Sequence, residues 1–407
     1  MRMSSSIRFT TPASIPDYTI DNGIYTTNTT LPIGNYTVNS DMTVREGATL
    51  TLTPGSTFSM ADRCSWNIIG AIRADGNASN RIVFQKQDAA TRWHGIRICY
   101  DTPQTTSTAT FRVAEDDFTT GFGLNVNWPV FFTTTGTLPA GINPNQYYYI
   151  LASSQIATRM GGTPITIADT GTGTHTAHRV YPNETDPEPD DKDLAQSITY
   201  CDFSDAKKND LTNYGLAFRQ WQRGGAIFAY QVHDFTLNNC TFTDCTAVDR
   251  GGAVYVQGED SYDTYTYTNL TFTNCTAEDE LAGAFAQSHG NQGVQFINCT
   301  WTNSTATNYQ GKTFTVDAST NVVTFSGLST SLVNGALVDN LSTTGTLPSG
   351  LSASTKYYII NASGSTCKLA TTYGGTEIDI TDTGSGTHTA DTLNHYYVFD
   401  ATIEASS

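Results

Sequence analysis

The sequence predicts an all-β chain: a right-handed parallel β-solenoid interrupted by two small inserted all-β modules. Three observations predict it. One short phrase recurs four times, its last three copies about 30 residues apart, polar and apolar residues alternate inside each recurrence, and a second, unrelated phrase occurs twice.

The recurring phrase reads Cys201-Asp202-Phe203-Ser204-Asp205, then Cys240-Thr241-Phe242-Thr243-Asp244, Leu270-Thr271-Phe272-Thr273-Asn274 and Cys299-Thr300-Trp301-Thr302-Asn303. Another interleaves with it: Gly224-Gly225-Ala226-Ile227-Phe228, Gly251-Gly252-Ala253-Val254-Tyr255 and the looser Ala282-Gly283-Ala284-Phe285. Alternation of period two is the strand signal, and Gly, Asn and Asp bound each run. No stretch sustains a helical pattern. A unit of this size, made of short strands and tight turns, is one coil of a solenoid. Each strand pairs with its copy about 4.8 Å further along, and parallel connections wind right-handed by strong preference. Stacking then aligns the inward columns Cys201, Cys240, Leu270, Cys299 and Phe203, Phe242, Phe272, Trp301. It also aligns Asn239, Asn269 and Asn298 as an amide ladder.

The amino-terminal part has the same style at a shorter period. Gly47-Ala48-Thr49-Leu50-Thr51-Leu52 is answered by Gly70-Ala71-Ile72-Arg73-Ala74, then by Arg81-Ile82-Val83-Phe84 and Trp93-His94-Gly95-Ile96-Arg97-Ile98. This run resembles the right-handed β-helix of the pectin-lyase-like superfamily. The Gly-Gly-Ala and Asn-Cys-Thr-Phe phrases are similar to those of bacterial and viral β-helix surface proteins.

The second phrase marks the modules. Thr135-Gly136-Thr137-Leu138-Pro139 reappears as Thr344-Gly345-Thr346-Leu347-Pro348, and Tyr148-Tyr149-Ile150 as Tyr357-Tyr358-Ile359, both at an offset of 209. Gly161-Gly162-Thr163 matches Gly374-Gly375-Thr376, and Asp169 to Ala177 matches Asp382 to Ala390, now at 213, so four residues are gained between the anchors. Gly-rich turns around alternating runs make each a small all-β unit, placed in loops that tolerate insertion. The expected organisation is an N-terminal cap or docking segment over 1–21, solenoid over 22–109, a module over 110–180, and an acidic linker over 181–196. Solenoid resumes over 197–312, a second module fills 313–391, and a strand or cap closes 392–407. The module string resembles a small domain of tailed-bacteriophage virion proteins, particularly tail and fibre components. That resemblance implies a virion context and, from phage spikes of this fold, a homotrimer; it assigns no chemistry to any residue. His175 and His388, equivalent in the two copies, read as structural hydrogen-bonding residues amid Thr and Gly.

Composition narrows the function classes. A net charge of −17 over 407 residues argues against nucleic acid and against an anionic membrane surface. With 14% charged residues the exterior is mainly Thr, Ser, Asn and Gly. Met1 to Phe9 lacks the apolar stretch of a secretory leader, and no apolar run reaches bilayer length, so membrane insertion is not expected. The eight cysteines follow the coil spacing without a Cys-x-x-Cys pair. They read as buried free thiols, with no metal site and no cofactor.

Two sets of site candidates emerge. Glycoside hydrolysis needs paired carboxylates. Stacking places Asp249 beside Asp279, and Asp205 beside Asp244, although both columns drift to Asn as turn positions do. Lyase chemistry would draw on Arg219, Arg223 or Arg250, but no matching motif is present. For binding, the longer second coil carries Glu259, Asp260, Tyr262, Tyr265 and Tyr267, rings and acids suited to sugars. Tyr265 and Tyr267 read equally well as strand continuation. The expected function is a structural or adhesive virion protein: a tail fibre, tail spike or decoration subunit made in host cytoplasm. Its expected partners are other virion proteins and host surface polysaccharide. The alternatives are a polysaccharide depolymerase and a bacterial surface adhesin.

Overall fold

A computed structural model describes the chain outside residues 1–13, 22, 89, 100–102, 125, 145, 181–194, 209–221, 231, 233–234, 258–264, 279–281, 289–293, 307–310, 329–331, 333, 373, 394–395, 399–402 and 407. The described residues are all-β, without an α-helix, and three eight-stranded parallel sheets dominate them. The first sheet stacks Asp17–Ile20, Asn35–Val38, Thr57–Met60, Ile82–Lys86, Cys201–Ser204, Thr241–Thr243, Thr271–Thr273 and Thr300–Thr302. The second stacks Gly23–Tyr25, Met42–Val44, Trp66–Ile68, Ile96–Ile98, Ile227–Tyr230, Val254–Gln257, Phe285–Ser288 and Tyr396–Val398. The third stacks Thr29–Leu31, Thr49–Leu52, Ala71–Asp75, Gln196–Thr199, Phe235–Asn238, Tyr265–Thr268, Val294–Ile297 and Ile403–Ser406. The chain visits the sheets in the same order coil after coil, so every strand pairs with its copy one coil on.

Register follows the repeats. Phe203 faces Phe242, Phe242 faces Phe272 and Phe272 faces Trp301, with ring centroids 5.0, 5.0 and 5.9 Å apart. The stack continues backwards through Phe84, Phe58, Tyr36 and Tyr18 at 4.8, 5.5, 4.7 and 5.0 Å. Each such contact adds about 0.5–1.5 kcal/mol beyond area burial. Cys201, Cys240 and Leu270 are fully buried beside it, and all eight cysteines are free thiols.

Two turn columns hold the left-handed backbone that Asn and Asp tolerate. Tyr200, Asn239, Asn269 and Asn298 have φ of 50° to 57°, and Asp205, Asp244, Asn274 and Asn303 have φ of 50° to 55°. Their amides link coil to coil, Asn269 Nδ2 donating to Asn239 Oδ1 at 2.8 Å and Asn274 Nδ2 to Asp244 Oδ1 at 3.0 Å. The Gly-Gly-Ala phrase has a steric cause. Gly224 and Gly251 take φ near +60°, while a Cβ on Gly225 or Gly252 would lie 2.2 or 2.0 Å from the next coil's carbonyl oxygen. In the looser copy Ala282 itself takes φ +67°.

Between Ile96–Ile98 and Gln196–Thr199 the chain builds a six-stranded antiparallel sheet in the order Asp117–Thr120, Pro103–Arg112, His175–Val180, Pro129–Thr134, Tyr148–Ile150 and Ile156–Ala157. This first module begins at Pro103, earlier than the expected 110, because its opening strand is a Ser/Thr run without apolar alternation. Between Thr305–Ala306 and Tyr396–Val398 lies the second module, a closed barrel. It runs Lys312–Asp317, Val322–Phe325, Thr366–Ala370, Tyr357–Ser363, Leu337–Thr343 and His388–Leu393. Each module has its own apolar core, separate from that of the coils.

Candidate functional site

Asp205 and Asp244 keep the neighbouring positions that stacking predicts, while Asp249 is engaged separately in an ion pair. Asp205 and Asp244 occupy the left-handed turn column, where the Asp244 carboxylate accepts from Asn274. Asp249 is buried, its Oδ2 2.6 Å from Arg223 Nε and its Oδ1 4.0 Å from Arg250 Nε. Arg223 Nη1 also donates to the Tyr255 hydroxyl at 3.0 Å. Asp279, Glu259, Asp260, Tyr262 and Arg219 lie outside the described residues. Tyr265 and Tyr267 are a correction to the binding-loop expectation. Both are buried in the core, their hydroxyls donating to the Val232 carbonyl at 2.8 Å and to Gln287 Oε1 at 2.9 Å. Residues 265 and 267 share the inward face of the third sheet, so neither ring reaches a ligand.

The histidines of the two modules have one geometry. His175 Nε2 donates to the Thr170 carbonyl at 2.8 Å and its Nδ1 hydrogen-bonds Thr134 Oγ1 at 2.9 Å. His388 repeats this with the Thr383 carbonyl at 3.0 Å and Thr343 Oγ1 at 2.9 Å. Asp169 and Asp382 each accept from one backbone amide in the facing turn, Ala140 or Ser349, and from one in their own turn, Gly171 or Gly384. These residues tie a hairpin, and both ring nitrogens are engaged.

The concentration of buried charge lies elsewhere, on the outer face of the second sheet. Thr43, Asn67, Arg97, Phe228, Tyr255 and Ala286 stand in one register column that alternation would turn to solvent, yet all are buried. The first module covers its early coils. There the Asp41 carboxylate accepts from the Ser65 amide at 2.9 Å and contacts Asn67 Nδ2 at 3.5 Å. Arg97 Nη2 bonds Asn67 Oδ1 and, at 3.2 Å, the hydroxyl of Tyr149, which itself hydrogen-bonds Asp41. Burial pushes the Asp41 carboxyl up to about 6, against the pull of the Ser65 amide, Tyr149, Arg97 and Asn67. Burial raises the Tyr149 hydroxyl strongly, with Asp41 adding to it. Around this clasp Phe131 and Tyr147 pack on Ile69, the Arg45 guanidinium lies 5.5 Å from the Phe131 ring, and Arg159 Nη1 donates to the Asp62 carbonyl at 2.6 Å.

Further along the same face Lys208 is buried, its Nζ donating to the carbonyls of Arg223 at 2.9 Å and Gly224 at 2.6 Å. Desolvation, and next the charge of Arg97, push its ammonium well below the usual lysine range. Asp249, Arg223 and Tyr255 follow. The clasp and the ion pair pin elements together. The described residues hold no group of three or more His, Cys, Asp or Glu that would bind a metal.

Sequence reasoning missed this face, although a signal is present. First-sheet strands read Thr-Phe-Thr, whereas second-sheet strands read Ile227-Phe228-Ala229-Tyr230 and Val254-Tyr255-Val256-Gln257. Continuous apolar strands are those covered on both faces. No protein-family model matches the chain, and no curated protein is recognisably similar to it.

Proposed function

We propose that this chain is a structural, adhesive component of a tailed-bacteriophage particle, a tail fibre, tail spike or decoration subunit built as a right-handed parallel β-solenoid. The observation that carries this reading is the duplicated module, whose shared Thr-Gly-Thr-Leu-Pro, Tyr-Tyr and Gly-Thr-His-Thr-Ala residues serve turns and hairpins in both copies. Residues kept for architecture in two places suit a protein that presents modules along a shaft. Binding is favoured over turnover because Asp205, Asp244 and Asp249 are engaged in turns and an ion pair. Eight free thiols suit assembly in a reducing cytoplasm before release. Its partners in this reading are other virion proteins, host surface polysaccharide and two further copies of itself. Mass spectrometry of purified particles tests it: the chain is expected among the virion proteins, and its absence from them overturns the reading.

A further inference from the structure

The second module carries a cleft of about 440 Å³ lined by Asn334, Ile360, Asn361, the turn Gly374-Gly375 and Glu377. Its volume falls within the roughly 300–1,000 Å³ of small-ligand sites. Glu377 is held in place, its Oε2 2.5 Å from Lys368 Nζ and its Oε1 3.4 Å from Asn321 Nδ2. Those contacts, Lys368 first, keep its carboxyl below the usual range, so the cleft presents a fixed, charged acceptor. Asn334 spends its Oδ1 on the Ala362 amide at 2.8 Å, an arrangement that orients its side-chain amide as a donor. Asn361 sits in the left-handed region at φ 51°, within a strand irregularity between Ile360 and Ser363.

The first module does not repeat these features. Glu377 corresponds to Pro164 at the offset of 213, and Ile360 to Leu151 at 209. Gly161, the counterpart of Gly374, abuts Arg63 of the coils: a Cβ there would meet Arg63 Nη1 at 2.5 Å, whereas one on Gly374 meets nothing within 4 Å. Asn361 belongs to the stretch lengthened by the four-residue gain. The cleft is therefore made by residues in which the two modules differ, while their shared residues hold the fold.

We infer that this cleft binds a neutral saccharide of one or two rings. A fixed carboxylate accepts from a pair of adjacent hydroxyls, the carboxamides of Asn334 and Asn361 donate to ring substituents, and Ile360 offers apolar surface to a C–H face. The ion pair of Glu377 with Lys368 leaves no net charge there, which suits an uncharged sugar. The inference deepens the adhesive reading and rests on it only for the source of the sugar.

The test is saturation-transfer NMR and titration calorimetry on the full chain with maltose, cellobiose, lactose and chitobiose. At least one is expected to bind. Glu377→Gln, which removes the charged acceptor, is expected to weaken it at least tenfold. Gly374→Asn, which narrows the cleft with a residue that tolerates φ near +60°, is expected to do the same. No saturation transfer from any of the four sugars overturns the inference, as does binding that both variants leave unchanged. Presence in purified particles without sugar binding rejects the cleft and spares the virion reading; sugar binding by a chain absent from particles does the reverse.

Discussion

The two modules share a strand order and a set of turn and hairpin hydrogen bonds, yet one is an open sheet docked on the coils and the other a closed barrel. Four extra residues account for the closure. In the first module the hairpin after Ile150 is short, and its far strand meets Asp117 through a single bridge from Gln155. In the second the same hairpin is longer, so Thr366 and Cys367 pair with Thr324 and Val323 and complete the ring. Docking follows from the outward side chains. Phe131 stacks on His178 at 4.5 Å and lies edge-on to Tyr147 at 6.2 Å. The register equivalents in the second module are Asp339, Asp391 and Lys356, with Lys356 Nζ 3.0 Å from Asp339 Oδ2. An aromatic patch seals against the second sheet, whereas a charged one remains solvated. Local chemistry, on a common frame, decides what each module does.

Exchanging the patches should break the contrast most severely. Phe131→Asp with Tyr147→Lys is expected to cost about 5 kcal/mol of docking. It should expose the amides of Trp66–Ile68 to hydrogen exchange while the first module's own core stays protected; unchanged exchange would refute the account. Arg97→Ala comes next, at about 3–5 kcal/mol, because it strands Asn67 and Tyr149 beside a buried carboxyl. Calorimetry should show the loss in the first module's transition with the barrel's transition unmoved.

The third prediction concerns pH. Asp41 is raised to about 6 from an ordinary 3.8, so docking is strongest below the ordinary value and weakens as pH rises through 6. The span is worth at most about 3 kcal/mol. Asp41→Asn should remove that dependence, so equal pH profiles for the two proteins would exclude it. The smallest effect concerns closure: deleting 361–364 should free the Val323 amide to exchange and cost about 2 kcal/mol, one to two hydrogen bonds. Retained protection would mean the barrel closes without the insertion.

Much of the coil stack was legible because the phrase Cys-x-Phe, or a close variant of it, is repeated from Cys201 onward and its last three copies, at Phe242, Phe272 and Trp301, lie 30 and 29 residues apart. The same ladder through Tyr18, Tyr36, Phe58 and Phe84 was not. Turns of unequal length separate those rings, which lie 18, 22 and 26 residues apart, so the shorter coils mark no single column although the rings stack at 4.7 to 5.5 Å. The modules were legible as sequence copies, but their difference in closure was visible only as an offset changing from 209 to 213. The clasp of Asp41, Asn67, Arg97 and Tyr149 escaped notice because its cover comes from a separate unit. No local pattern marks a polar residue as buried when its lid is dozens of residues away.

The ring stack from Tyr18 to Trp301 passes from Phe84 to Phe203 at 4.8 Å, as close as the joins on either side of it, 5.5 and 5.0 Å. Yet more than a hundred residues of chain leave and return between those two positions. A whole appendage can thus be spliced in, exchanged or lost while the mast beneath it keeps the same continuous spine, so new tips can be tried on an old support.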